Sequence, residues 1–316
     1  MSDDGFQLQA SDGRAIHVYR WLPPGPVRAS LLVAHGMAEH GARYARLAQA
    51  LNAAGWAVYA LDWPGHGRSV RNAEELGHFA DRDGWNYALE ILHRVRLQAA
   101  SEQAGTPLFL LGHSMGSFLS QYYIVEHGDG LAGVVLSATT GDMGATRAAG
   151  AVLLKLEGML LGVRHRSALA EALSFKAFNK KFAPARTPAD WLSRDPAEVD
   201  KYVADPLCGF RCSAALWVSL LTAGASLRDP QRLSRIPKNL PVLLIAGSED
   251  AVSGGARGPE LLAQAYRGAG LNDVSVKIYA GGRHELLNEI PQCRDQVTAE
   301  LLSWLGQHSP RSNLSS

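Results

Sequence analysis

Apolar positions along the chain follow two rhythms. Strand-length runs recur at Leu31–Ala34, Trp56–Leu61, Leu108–Leu111, Val134–Leu136, Val242–Ala246 and Val274–Tyr279. Several of these are wholly apolar, as strands buried on both faces must be. Between the runs, apolar residues return at three- and four-residue intervals, the spacing of one helix face. Tyr44, Leu47, Ala48 and Leu51 form one such face, and Met115, Phe118, Leu119, Tyr122 and Val125 form another. Residues 83–99 predict a long helix, and Val297, Leu301, Trp304 and Leu305 mark the last one. Ahead of this alternation, Phe6–Ala10 and Ala15–Trp21 read as a hairpin joined by Asp12-Gly13. Strands separated by helices predict an α/β fold with a mostly parallel sheet covered on both faces.

The rhythm changes between residues 141 and 235. Helical patterns continue there, at Ala148–Leu161, Ala168–Lys181 and Cys212–Leu227, with Pro184, Pro188, Pro196 and Pro206 as punctuation, but no strand pattern appears. The expected organisation is a core of residues 1–140 and 236–307, an inserted helical cap of residues 141–235 over the carboxyl edge of the sheet, and a polar tail of residues 308–316. The segment Gln103–Val125 carries no charge, but Gly112, His113, Ser114 and Gly116 interrupt it, so strand, turn and helix are expected rather than a membrane span.

Composition narrows the function. Of 316 residues, 47% are hydrophobic, and 31 Lys+Arg nearly balance 30 Asp+Glu. Disorder is excluded, and so is a global electrostatic attraction to nucleic acid, which is not expected as a partner. Three cysteines, Cys208, Cys212 and Cys293, are too few for a disulfide scaffold and read as buried, reduced thiols. Cys208 and Cys212 have the spacing of neighbours on one helix face, and no Cys/His partner set completes a zinc site, so no metal is expected. The opening MSDDGFQLQA lacks the basic and apolar regions of a signal peptide. A cytoplasmic location follows as the expectation, with peripheral contact to membranes left open.

Gly112-His113-Ser114-Met115-Gly116 follows an apolar strand and opens an amphipathic helix. A G-x-S-x-G pattern gains meaning in that setting, because a sharp strand-to-helix turn crowds its central residue and lifts the serine hydroxyl clear. A serine needs a base, itself oriented by a third group. Asp250 follows the strand ending at Ala246, and His284 follows the strand ending at Tyr279. All three residues therefore fall just past the carboxyl ends of strands, where open α/β sheets place their sites, and in the order Ser…Asp…His. Glu249 is a rival acid. Oxyanion donors are expected from the Met115 N–H and, in the loop after Leu31–Ala34, from the Met37 N–H, with Gly36 allowing close approach. His35 reads as a structural histidine.

Five segments then occur in order: His35-Gly-Met-Ala-Glu-His-Gly-Ala-Arg-Tyr44, Asp62-Trp-Pro-Gly-His-Gly-Arg-Ser69, Gly112-His-Ser-Met-Gly116, Gly247-Ser-Glu-Asp250 and Gly282-Arg-His-Glu-Leu-Leu-Asn-Glu289. Together they resemble the monoacylglycerol lipase/lysophospholipase group of α/β-hydrolases, over about Gly5 to Leu305. The resemblance implies an α/β-hydrolase fold, a helical lid, and a pocket for a polar head group shaped with help from Glu39 and Arg43. It departs from the family pattern at Ala38, where glycine is usual, and at Trp63-Pro64.

The expected function is a cofactor-free serine ester hydrolase for single-chain lipid esters, monoacylglycerols first. Lysophospholipid hydrolysis by the same groups is the near alternative; peptide or small-ester hydrolysis and a non-catalytic binding module stand further off. Apolar stretches at 151–163 and 212–227 read in two ways, as packing of the cap onto the core or as an acyl tunnel that also touches membrane or lipid aggregates.

Overall fold

The computed structural model describes residues 4–309. Eight strands form one sheet: β1 Phe6–Gln9, β2 Ala15–Trp21, β3 Ala29–Ala34, β4 Trp56–Leu61, β5 Leu108–His113, β6 Gly133–Ser137, β7 Val242–Gly247 and β8 Val274–Tyr279. Their spatial order is β1-β2-β4-β3-β5-β6-β7-β8. The hairpin β1–β2 and the β2–β4 pair are antiparallel, and every pair from β4 to β8 is parallel. The helices are α1 Ala45–Ala53, α2 Gly84–Glu102, α3 Met115–His127, α4 Arg147–Leu161, α5 Ala168–Leu173, α6 Phe175–Lys180, α7 Pro196–Ala204, α8 Ala214–Ala223, α9 Pro230–Leu233, α10 Arg257–Gly268 and α11 Pro291–His308.

Strand alternation divides the core into two faces. From β3, Leu32 and Ala34 belong to the same buried layer as Ile91 of α2, Leu119 of α3 and Leu262 of α10, whereas Leu31 and Val33 belong to the opposite layer with Leu47 of α1 and Val297 and Leu301 of α11. All four β3 residues are completely buried, which is why the run carries no polar alternation.

Between β6 and β7 the chain contributes six helices, α4–α9, and no strand of the sheet. Their starts are set locally: Asp195 accepts the Ala197 N–H at 3.0 Å ahead of Pro196 in α7, and Ser213 Oγ accepts the Leu216 N–H at 3.2 Å in α8. Two expectations here are corrected. The single helix over Ala168–Lys181 is two, broken at Ser174 (φ −119°, ψ −94°), whose Oγ donates to the Ala170 carbonyl at 2.6 Å. The break lets both Phe175 and Phe178 reach the Trp191 ring, at 5.5 and 5.4 Å. Cys208 and Cys212 are not helix neighbours, since both lie in the irregular segment between α7 and α8. All three cysteines are unpaired and buried.

His308, polar enough to read as the head of a tail, ends α11, with its ring on the Trp304 carbonyl and Asp273 at 2.8 and 2.9 Å. Residues 310–316 of that tail lie outside the described residues. No helix among the described residues is long and apolar enough to cross a membrane.

The close fit of α3 against β3 is testable at two glycines. A Cβ on Gly116 would overlap the Ala34 carbonyl oxygen, while one on Gly306, exposed in α11, meets nothing. Gly116→Ala is expected to lower stability by about 3 kcal/mol or more, the upper range of overpacking. Gly306→Ala should raise it by about 0.5–1 kcal/mol through helix propensity. Urea melts of the two variants check both signs.

Candidate active site

β5 delivers the chain to Ser114, which adopts φ 51° and ψ −120°. That conformation costs a non-glycine residue about 1–3 kcal/mol, so its surroundings must impose it. The Ser114 N–H donates to the Ser137 carbonyl at 3.0 Å, and the Ser114 carbonyl accepts from Ser117 N–H at 2.8 Å and Phe118 N–H at 3.2 Å. Both flanking glycines are sterically required. A Cβ at Gly112 would lie 2.6 Å from the Gly116 carbonyl oxygen and 2.8 Å from Ser117 Cα, and Gly116 sits against β3. Met115 is the first residue of α3, whose leading N–H groups have no acceptor within the helix.

Asp250 lies three residues past the end of β7 and His284 five past β8. Both side chains are buried, and His284 Nδ1 meets Asp250 Oδ1 at 2.9 Å. Asp250 Oδ1 also accepts the Val252 N–H at 2.9 Å. Burial pushes the Asp250 carboxyl up, but attraction to His284 together with hydrogen bonds from His284, Ser253 and the Val252 N–H holds the group below its ordinary range. Burial likewise pushes the His284 imidazole down, yet the Asp250 charge and hydrogen bond leave it above its ordinary value. The bond to an ionised Asp250 assigns the proton of neutral His284 to Nδ1 and leaves Nε2 basic. The ring packs between Trp191 and His113, each 4.8 Å away between centroids. His113 is pushed down to about 4 by burial and by the nearby His284 charge, so it stays neutral beside the pair. The rival acid Glu249 is half-exposed and pairs with Lys181 at 3.0 Å.

The loop after β3 brings Met37 to the same place. Met37, Ser114 and Met115 line one cavity of about 570 Å³. Most of its remaining wall is apolar and comes from α4, α6 and α8, with Leu154, Phe178, Trp217 and Leu220 among the contributors, and from Trp191. His35, completely buried, anchors the loop. Its Nδ1 lies 2.7 Å from the Gly36 carbonyl and its Nε2 accepts the Trp63 N–H at 3.1 Å. Burial holds its pKa well below the ordinary imidazole value, so it is a neutral structural group. Ala38, in the position where the resembled family has glycine, takes φ 55°. Its carbonyl accepts from Tyr202 Oη at 3.0 Å and Gly209 N–H at 2.9 Å, which hold the strained backbone in place.

Glu39 and Arg43 are not brought to this cavity. Glu39 Oε1 accepts the Gly36 N–H at 2.6 Å and Tyr44 Oη at 3.1 Å, and Oε2 receives Arg43 Nη1 at 2.7 Å. Arg43 also grips Glu285 through two bonds of 2.6 Å. The three side chains are nearly enclosed, at 4%, 11% and 7% exposure for Glu39, Arg43 and Glu285. Burial pushes Glu39 up, but the Arg43 charge and hydrogen bond, with the Gly36 N–H and His113, bring it below the usual carboxylate range. One guanidinium thus ties the loop of Met37 to the residue after His284. The polar atoms of Glu39 and Arg43 are therefore taken up by partners inside the protein.

Family comparison places this arrangement. Residues 25–291 match the family model described as serine aminopeptidase, S33. The chain belongs to this S33 family. It is 31% identical over 293 residues to the monoacylglycerol lipase of Mycolicibacterium smegmatis, covering 91% of each chain. It is 29% identical over 311 residues to the monoglyceride lipase of Homo sapiens, covering 98% of this chain and 92% of that one. Among solved structures it is similar to a highly thermostable carboxyl esterase from Bacillus coagulans in complex with glycerol, with TM-score 0.87, 25% identity and coverage of 97% and 99%. The S33 chain is an α/β-hydrolase in fold, as its motifs and sheet imply.

Two participants escaped the reading of motifs. Glu285 stood inside a quoted segment, and an acid directly after the histidine was the available signal. Trp191 had none, because nothing local says that an indole between two proline-marked turns will cover an imidazole. The S33 chain's clamp yields a stability prediction. Arg43→Ala would leave Glu39 and Glu285 as buried, uncompensated carboxylates, at an expected cost of about 3–5 kcal/mol. Adding Glu39→Gln and Glu285→Gln should recover part of that loss in thermal melts, whereas a purely packing role for Arg43 predicts no recovery.

Proposed function

We propose that the chain is a serine carboxylic-ester hydrolase for single-chain lipid esters, with monoacylglycerols as the leading substrates. The supporting observation is the shared cavity, with Ser114, Met37 and Met115 at one end and apolar side chains over most of the rest. Its volume lies in the range of small-molecule sites. The lipase relatives and the glycerol bound to the similar esterase support the choice of head group.

In this reading Ser114 Oγ attacks the ester carbonyl while His284 Nε2 takes its proton, and Asp250 stabilises the imidazolium. The Met37 and Met115 N–H groups receive the oxyanion, each worth about 2.7–4 kcal/mol of barrier. His284 returns the proton to the leaving alcohol, here glycerol. Water, deprotonated by His284, then releases the fatty acid and restores Ser114. No cofactor enters these steps.

Residues 141–235 act as the cap that supplies the acyl-chain wall. On α4, Met159, Leu160 and Leu161 stand 73%, 83% and 60% exposed, while Leu154 of the same helix lines the cavity. That exposed edge is a surface for transient contact with membranes or lipid aggregates, which would make the protein peripheral to a membrane when it works.

The test is a panel of monoolein, lysophosphatidylcholine, p-nitrophenyl esters from acetate to laurate and an N-terminal-proline peptide, with fluorophosphonate labelling. Wild type should label and prefer monoolein and the longer esters; Ser114→Ala should not label and should lose about 10⁴-fold or more in kcat. Indifference to acyl length removes the tunnel, and undiminished turnover in Ser114→Ala removes the mechanism.

The pH profile has a definite sign. The reaction needs neutral His284, whose pKa is raised, so kcat/KM should fall as pH drops through a midpoint above 6.5. Asp250→Asn should cut kcat by about 10⁴-fold and move that limb to lower pH, because the group that raises the imidazole has lost its charge.

A further inference from the structure

We propose that His40, Asp205 and Cys208 form a binding site for one divalent metal ion of the zinc class, joining the loop of Met37 to the segment after α7. One ligand atom from each of the three lies within 4.8 Å of the others, and they form a single such group among the described residues. Tetrahedral zinc, with bonds of about 2.0–2.3 Å, separates its ligands by about 3.3–3.8 Å, so side-chain adjustments of about 1 Å or less, including a slight opening of the 2.9 Å His40–Asp205 contact, would seat an ion. No Cys/His partner set that completes a zinc site is visible in the sequence; His40 and Asp205 are 165 positions apart and meet only in the fold.

The donor set is chemically specific. An imidazole, a carboxylate and a thiol suit zinc or cobalt and are a poor match to magnesium or calcium, which take oxygen ligands. The His40–Asp205 contact at 2.9 Å does not account for the imidazole, since His40 Nδ1 is buried with no hydrogen-bond partner. Charge around the site favours a cation: the clamp holds Glu39 and Glu285 against one Arg43, and Asp205 adds a further carboxylate. The Asp205 side chain is 31% exposed, so the cluster reaches solvent on that side. On binding, the Cys208 thiol releases its proton to solvent and ligates as thiolate.

Position gives the site its consequence. His40 is two residues from Ala38, whose carbonyl already receives Tyr202 Oη and the Gly209 N–H. A bound ion would add a bridge between the same two parts of the chain. None of the three ligands lines the cavity of Ser114, so the site stands apart from the proposed chemistry.

Cobalt(II) is the probe. Added to the full chain, it should give a thiolate-to-cobalt charge-transfer band that saturates at one ion per chain and is displaced by zinc. Cys208→Ser should abolish the band, while Cys212→Ser and Cys293→Ser should keep it. His40→Gln should weaken cobalt binding by at least about tenfold. Zinc should raise the melting temperature of wild type and leave that of Cys208→Ser unchanged; circular dichroism establishes that each variant is folded. Absence of the band in wild type, or its survival in folded Cys208→Ser, overturns the site. Neither readout involves ester hydrolysis, so the outcome is independent of the proposed reaction.

Discussion

The backbone of Ser114 is the constraint on which the site rests. At φ 51° and ψ −120° the residue would relax if it were free, and it is held by contacts on both sides. Its N–H is fixed to β6 through Ser137, and its carbonyl already belongs to the first turn of α3. That turn can form only because Gly116 lets the helix press against the Ala34 carbonyl at the end of β3. The same approach brings the loop after β3 over the start of α3. Serine orientation and the position of Met37 are therefore consequences of one packing contact.

A second connection runs through charge. Ser114, Asp250 and His284 come from three separate loops, and hydrophobic packing alone has no directional means of aligning them. Arg43 supplies direction: its planar fork meets Glu285 bidentately and its remaining reach holds Glu39, which in turn fixes the Gly36 N–H. His284 is thereby positioned from two sides, by Asp250 on the ring and by Arg43 through its neighbour. The irregular segment between α6 and α7 joins this network. The Glu285 N–H donates to the Leu192 carbonyl at 2.8 Å, and Arg194 Nε reaches buried Glu289 at 2.9 Å.

The sheet, its order of burial and the placement of Ser114, Asp250 and His284 beyond strand ends were legible because each rests on a local pattern. Leu31–Ala34 needed only its own residues to announce a doubly covered strand. Gly112 and Gly116 announced the elbow because a turn that tight excludes Cβ atoms. What stayed hidden depends on partners far along the chain. Nothing near Ser174 says that the helix ends there so that two phenylalanines can meet Trp191. The roles of Glu39 and Arg43 were read from family resemblance as head-group contacts. Arg43 pairs instead with Glu39 and with Glu285, the latter 242 positions away, and only the fold shows that the charges are consumed internally.

The division between a charged underside and an apolar roof has a mechanistic consequence. His284 is almost fully enclosed, with Trp191 and His113 against its ring. Enclosure by itself would depress the imidazole's basicity, and the Asp250 carboxylate, helped by the charges of Glu285 and Glu39, reverses that direction. Because water is excluded, the same carboxylate acts at a lower effective dielectric, so each change in its distance or charge has a larger effect than at a surface. Trp191 lies among the helices that also wall the cavity, and its segment is bonded to the loop of His284 through Leu192 and Arg194. A shift of that segment would alter both the wall of the cavity that Ser114 lines and the enclosure of the His284 ring. One stretch of chain, residues 189–195, thus touches both the cavity and the imidazole.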